Sequence, residues 1–421
     1  MRKAIVIGSG AGGATAAKML AGSFDVTVLE AGREFKPFSL PMDTLAKFRK
    51  SGLYLDERMI QMLLPSMRID RDPDMVMVYG RGVGGTTTLA TGNAVRADDG
   101  LKKIGIDLDA EFEELYSELP ITTDHQRYWN DITRRTFDVM MEMGMAPEPM
   151  PKFLRPGSCA LCGHCSIGCP TGAKWDTREL LAGLDVMTGC KVTGVEIVDG
   201  AARRVHAVKG CRKVSYDADV VVVAAGGMGT PGILRASGID CQPTLFVDPV
   251  LCVAAPMPGV KQDRQLLMPF VSRREKYIIS PYMDWLSFFF NKDWYKPKDG
   301  IVSIMIKLAD VEQGDVRNGK MLKKLTETDH KYLERGVEEC REILRRLGAG
   351  DEDIFLGTLN CGHPGGMLPL TPAESRTLHS PALPANMYVA DATILPQSLG
   401  LPPILTIMAL AKRISRIIIE S

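Results

Sequence analysis

Net charge is what this 421-residue chain lacks. Its 51 lysines and arginines are matched by 51 aspartates and glutamates, so nothing electrostatic favours nucleic acid or an acidic membrane surface as a partner. Long apolar runs are missing too, and no stretch reaches the length of a membrane-spanning helix. The pattern of a secretory leader is absent, because the apolar run opening at Ala4 is interrupted by the glycines between Gly8 and Gly13. There is no internal repeat and no low-complexity segment. These absences make the cytoplasm the expected compartment. They also make the ten cysteines reduced thiols or metal ligands, not a disulfide framework. Hydrophobic residues make up 45% of the chain, enough for a large core in two or three units.

Four of the cysteines are grouped: Cys159, Cys162, Cys165 and Cys169, followed by Pro170. The spacing C-x2-C-x2-C-x3-C-P is that of ferredoxin-type iron–sulfur sites, and thiolates are the soft ligands such a site needs. The spacing predicts an iron–sulfur cluster of the 4Fe-4S kind. Zinc and redox-active free thiols are the alternatives, and a remote cysteine such as Cys190 or Cys361 is an alternative to Cys169 as fourth ligand. A cluster passes electrons singly, which predicts a ferredoxin-like or other electron-transfer protein as partner.

The N-terminus carries a second signal. Lys3-Ala-Ile-Val-Ile-Gly8 reads as a buried strand, residues 13–21 as a helix, and Asp25-Val-Thr-Val-Leu-Glu30 as another strand. Between the first strand and the helix lies Gly8-Ser9-Gly10-Ala11-Gly12-Gly13, a G-x-G-x-x-G turn. Gly8 permits the tight turn, Gly10 lets the backbone approach a pyrophosphate, and Gly13 lets the helix pack close to the strand. The helix N-terminus attracts phosphate charge. Glu30 is placed to bind ribose hydroxyls, which argues against a 2′-phosphate. Further along, 42–50 and most of 101–150 read as helical, and Asp219 to Ala225 as a fully buried strand. Residues 243–310 alternate like strands, while 327–347 and 402–419 read as helices. The run Trp285-Leu286-Ser287-Phe288-Phe289-Phe290, with Trp294 and Tyr295 beyond, reads as a buried sheet face plus a few exposed aromatics, as a lining for a large apolar substrate, or as an exposed patch for a partner protein.

Three further segments carry a family resemblance. Gly80-Arg81-Gly82-Val83-Gly84-Gly85-Thr86-Thr87, Ala224-Ala225-Gly226-Gly227-Met228-Gly229-Thr230-Pro231, and Tyr388-Val389-Ala390-Asp391-Ala392 through Leu405 to Ala411 resemble, in order and spacing, the flavin-binding segments of glucose–methanol–choline (GMC) oxidoreductases. The resemblance covers nearly the whole chain and implies FAD. It implies flavin or pyrophosphate contacts at Ala11, Arg81, Gly84, Gly85, Thr86, Thr87 and Ala225. It further implies adenine contact through the backbone of Val192, a place for Asp391 beside the pyrophosphate or ribityl chain, and a helix start at Pro403 along the flavin ring. Asp391 also reads as a plain helix cap. The family's flavin-facing histidine stands in H-x-x-G-T. Here His363-Pro364-Gly365-Gly366-Met367 fits, with Met for Thr, so His363 is the candidate catalytic base. The family's second His or Asn is replaced by Pro402, which can neither donate a hydrogen bond nor take a proton. Gly168-Cys169-Pro170-Thr171-Gly172-Ala173-Lys174 also resembles a loop of the long-chain alcohol oxidase branch, with Lys174 as a structural residue.

The fold expected is α/β with α+β elements: a Rossmann-type FAD-binding domain with an inserted antiparallel-sheet substrate domain. Residues 1–239 would form the first part of the FAD domain, including a helical insert at 101–150 and a cysteine-rich loop at 156–175. Residues 240–355 would form the substrate domain, and 356–421 the C-terminal part of the FAD domain. The function expected is FAD-dependent hydride transfer with a small organic, alcohol-type substrate, the cluster passing single electrons onward. Two alternatives stay open. One is a carbon–carbon double-bond reductase or dehydrogenase on an isoprenoid or lipid-like substrate. The other is an electron-relay flavoprotein subunit of a larger complex.

Overall fold

A computed structural model describes residues 1–37, 57–290, 294 and 300–421. The helix expected near 42–50 and Tyr295 lie outside the described residues.

The strand Lys3–Ile7 is apolar from Ala4 onward and buried on both faces, the pattern of a strand inside a parallel sheet. It sits at the centre of five parallel strands. In spatial order these are Met387–Val389, Val220–Val223, Lys3–Ile7, Asp25–Leu29 and Asp185–Met187. The helix Ala11–Leu20 returns across this sheet and packs against the C-terminal helix Ile404–Glu420. Glycine makes that approach possible. A Cβ at Gly12 would meet Ala390 O at 1.6 Å, and one at Gly13 would meet Gly8 O at 2.0 Å. An antiparallel meander, Cys190–Val198, Ala201–Lys209 and Arg212–Asp217, follows the edge strand.

The second body is a larger, mostly antiparallel sheet whose centre pairs Val250–Pro256 with Ile301–Leu308, and the latter with Tyr277–Pro281. This sheet is wider than residues 240–355. It also takes in Met67–Arg71, Val76–Gly80, Glu148–Pro149 and Asn360–Cys361. One face is covered by the helix Glu327–Arg346, which is capped by Thr326 and Asp329 in a reciprocal capping box. Leu333, Cys340, Ile343 and Leu344 of this helix join Val253, Ile304 and Ile306 in one core.

The aromatic run is not a sheet strand. Trp285–Phe290 is a short helix. Asp284 starts it, accepting from the backbone N–H of Leu286 at 3.0 Å and of Ser287 at 3.1 Å. Trp285 and Trp294 are buried in an apolar core with Met283 and Met305.

Candidate active site

A cavity of about 650 Å³ runs from the Gly8–Gly13 turn to His363. Among the residues proposed from sequence, it is lined by Gly8, Gly10, Ala11, Glu30, Arg81, Gly85, Thr86, Thr87, Val192, Ala225, His363, Asp391 and Pro403. Gly13 and Gly84 do not line it. Gly13 packs its helix on the first strand, and Gly84 adopts φ +92° as the cap of the turn Gly85–Thr88. These two glycines shape the site from behind.

The phosphate end has the features an anion needs. No acidic side chain occupies the first turn of Ala11–Leu20, and no side chain caps it, so its N-terminal amides remain available. A Cβ at Gly10 would find only Gly85 Cα, at 3.9 Å, so the turn is open above that residue. Glu30 is buried. Its Oε2 accepts from Ser9 Oγ at 2.6 Å and its Oε1 from Gly32 N at 2.7 Å. Its contact with the cavity leaves it acceptor capacity for a hydroxyl. Opposite, the turn Gly85–Thr88 is tied down by its own hydroxyls: Gly80 N donates to Thr86 Oγ1 at 3.0 Å, and Thr87 Oγ1 donates to Gly84 O at 2.7 Å. The set fits a dinucleotide: a bare helix N-terminus, a glycine cradle and a carboxylate at the next strand end.

Asp391 is a cap that also lines the cavity. Its Oδ1 accepts from Thr393 N at 2.8 Å, capping the turn Ala392–Ile394. Its Oδ2 accepts from Gly226 N at 2.8 Å and Thr230 Oγ1 at 2.5 Å, which joins the start of the helix Gly226–Ala236 to the cavity wall. Burial holds its carboxyl above the usual range, against these hydrogen bonds. Pro403 caps the helix Ile404–Glu420, whose N-terminal residues Ile404 and Ile407 also line the cavity.

His363 stands at the far end. Its ring is 26% exposed, and its Nδ1 lies 3.2 Å from Asp248 Oδ2. Burial and the ammonium of Lys307 push its pKa below the ordinary 6.5, against the pull of Asp248. The imidazole is therefore neutral near pH 7 and able to take a proton. Asp248 itself is buried. Burial opposes its charge, but Lys307 at 2.5 Å and His363 hold its carboxyl below the usual range. Sequence reading missed Asp248 entirely, along with Tyr79, Lys191, Thr193 and Asn318 of the cavity wall. Lys191 and Thr193 flank Val192 and were within reach of that signal. Asp248 gave none, since 115 residues separate it from His363.

The four grouped cysteines sit on a loop with a 3-10 turn at Cys165–Ile167. Cys159 feels the charge of Cys165, Cys169 and Cys162, so the four thiols are neighbours. The donor set suits a cluster in kind. However, no group of three or more His, Cys, Asp or Glu residues among those described converges on a metal-holding point. The expected 4Fe-4S site is not shown by this arrangement. On the loop, Cys159, Leu161 and Cys169 pack on Leu154, Ala173 and Leu266.

Comparison with known proteins bears on this site. Residues 3–255 match the family model for GMC oxidoreductase. An uncharacterized protein of Methanocaldococcus jannaschii is 28% identical, covering 98% of this chain and 98% of its own length. A long-chain-alcohol oxidase of Arabidopsis thaliana is 23% identical, covering 99% of this chain and 66% of its own. Among solved structures, pyridoxine 4-oxidase from Mesorbium loti superposes with a TM-score of 0.72 at 15% identity, over 99% of each chain. That level of identity speaks for the fold alone.

Proposed function

Because the chain belongs to the GMC oxidoreductase family, we propose that its cavity holds FAD from the Gly8–Gly13 turn to His363 and that an alcohol-type substrate is oxidised beside His363. The enzyme is an FAD-dependent oxidoreductase. What supports the placement is one observation: a single cavity joins the anion-ready helix N-terminus to a neutral histidine.

When bound, FAD supplies a two-electron acceptor for a hydride. The chain's own residues do the rest. Gly10 and the helix Ala11–Leu20 bind the pyrophosphate through backbone N–H groups. Glu30 accepts from the ribose hydroxyls, and the backbone of Val192 borders the adenine. Ala225, Asp391 and Gly85, Thr86 and Thr87 of the turn Gly85–Thr88, with Arg81, hold the middle of the cofactor. The N-terminus of Ile404–Glu420 lends its dipole to negative charge at the ring end. His363 accepts the proton of the substrate hydroxyl at Nε2 as the C–H bond gives up its hydride, so an alcohol becomes a carbonyl. Pro402 contributes no second proton-handling side chain, which keeps carbon–carbon bond chemistry as the rival. The relay-subunit reading predicts no substrate at all.

The cysteine loop is read as the place of an iron–sulfur cluster that passes single electrons to a protein partner. This rests on spacing and on charge. Cys165 lies within electrostatic reach of the buried amines of Lys174 and Lys152, and each lysine donates to three neutral oxygens. Burial pushes both lysines down, Lys152 to about 7, and an anionic neighbour would favour their charged form.

Anaerobic mixing with an alcohol panel tests the chemistry. Bleaching of the flavin by an alcohol supports the reading. Reoxidation of reduced flavin by an activated alkene, with no alcohol active, would replace it with the rival.

A further inference from the structure

His363 is held from behind by a carboxylate on which four donors converge. Asp248 Oδ2 lies 3.2 Å from His363 Nδ1 and 2.5 Å from Lys307 Nζ. Its Oδ1 accepts from Ser398 Oγ at 2.5 Å and from Gly400 N at 3.2 Å. The side chain is 1% exposed. The backbone there has φ +50°, a left-handed conformation that costs a residue with a Cβ about 1 kcal/mol or more. Strain of that kind persists only where surrounding contacts over-determine it, and here they do. His363 N donates to Val247 O at 3.3 Å, and Phe246 and Gly365 exchange two backbone hydrogen bonds at 3.1 Å. The segments 246–248 and 363–365 are zipped together, so the carboxylate and the imidazole cannot drift apart.

An ionised carboxylate only accepts, so the nitrogen facing it must carry a proton. We propose that Asp248 is the positioning residue of this site: it fixes His363 as the Nδ1–H tautomer and so turns an unprotonated Nε2 to the cavity. This rests on the reading of His363 as the base. Lys307 completes the device. Its ammonium balances the Asp248 charge, so the carboxylate orients the ring without drawing it into the imidazolium form. A second buried pair, Asp310 and Lys323 at 2.7 Å, lies behind. Asp310 accepts from the backbone N–H of Val247 and of Asp248, the latter at 2.8 Å, and from Ser398 Oγ at 3.3 Å. The charged groups about His363 are therefore Asp248 and Lys307 in contact, with Asp310 and Lys323 beyond. Asp248 also grips Ser398 and Gly400, the turn that leads into Pro402. One buried carboxylate thus ties His363 to the turn that leads toward Pro403 of the cavity wall.

The test is the tautomer. In the FAD-loaded enzyme labelled with 15N-histidine, the His363 signals are identified by their loss in His363→Gln. At neutral pH, Nδ1 should be protonated and Nε2 not. An Nε2–H tautomer or an imidazolium in the wild type overturns the proposal, and no variant of Asp248 is needed to see it. In Asp248→Asn, the amide can offer its own N–H to Nδ1, and the ring should change to the Nε2–H form. Flavin reduction should then slow about 10²- to 10⁴-fold, with FAD content kept and substrate affinity changed far less. Asp248→Glu should recover part of the rate. An Asp248→Asn enzyme with wild-type rate and tautomer contradicts the proposal. If His363→Gln itself reduces flavin at full speed, the base reading fails, while the tautomer result still stands or falls alone.

Discussion

Lys174 ties Cys169 to the wall of the flavin cavity. Its backbone N–H donates to Cys169 Sγ at 3.4 Å, and its ammonium donates to the carbonyl oxygens of Thr87, Thr88 and Ala90 at 3.0, 2.8 and 2.8 Å. Thr87 and Ala90 both border the cavity. One residue therefore spans from the cysteine loop to the cavity wall, by its backbone at one end and its side chain at the other. Lys174→Met should leave those carbonyls buried without a donor, at about 1–3 kcal/mol for each one left unmet. We predict a lower thermal midpoint and a preparation poor in flavin. Unchanged stability and full flavin content would show that the strut is dispensable.

Gly13→Ala is predicted to damage the core of the dinucleotide fold. The new methyl would lie 2.0 Å from Gly8 O and 3.3 Å from Ala224 Cβ, and backbone cannot yield as a side chain can. Overpacking of this kind costs about 1–3 kcal/mol or more. Urea unfolding should show the loss, together with weaker FAD retention. Gly183→Ala has open space around it but a backbone at φ +81°, so it should show only the smaller conformational penalty.

The pH dependence of flavin reduction follows from His363. Its pKa in the fold is below 6.5, lowered first by burial and then by Lys307. The base is mostly neutral above 6.5, so the acid limb of the reduction rate should be centred below it. The stability contribution has the same sign. Below 6.5 the unfolded chain binds a proton that the folded ring refuses, so folding weakens as pH falls. Stopped-flow rates across the pH range check this, and an acid limb centred above 6.5 would contradict it.

The local signals were legible because they need only neighbours. Gly8, Gly10 and Gly13 declare a phosphate turn through their own backbone demands, and the apolar run from Val220 to Ala225 declares the buried strand at Val220–Val223. His363 was singled out by a family resemblance, and it lines the cavity. What the sequence could not show depends on distant partners. Asp248 is one aspartate among many until Lys307, Ser398, Gly400 and His363 surround it. The run from Trp285 looked strand-like, and Asp284 made it a helix by capping two N–H groups. The motif alone assigns Gly12 no role, whereas in the fold Ala390 O lies against it. The cysteine spacing fixed which thiols are neighbours but not that their sulfurs converge.

For the cysteine loop, the prediction is composition. Protein purified without oxygen should carry iron and acid-labile sulfide in near-stoichiometric amounts, and Cys165→Ala should lose both while keeping FAD. Zinc in place of iron, or a metal-free protein with four titratable thiols, would remove the single-electron relay and leave a flavoenzyme without it.

The most direct test of the central claim is single-turnover flavin reduction by the best alcohol, comparing wild type with His363→Ala. FAD should remain bound in both, because no phosphate or ribose contact assigned above involves His363. The account predicts that wild type bleaches and that the variant slows by about 10²-fold or more. A variant that bleaches at the wild-type rate would contradict it.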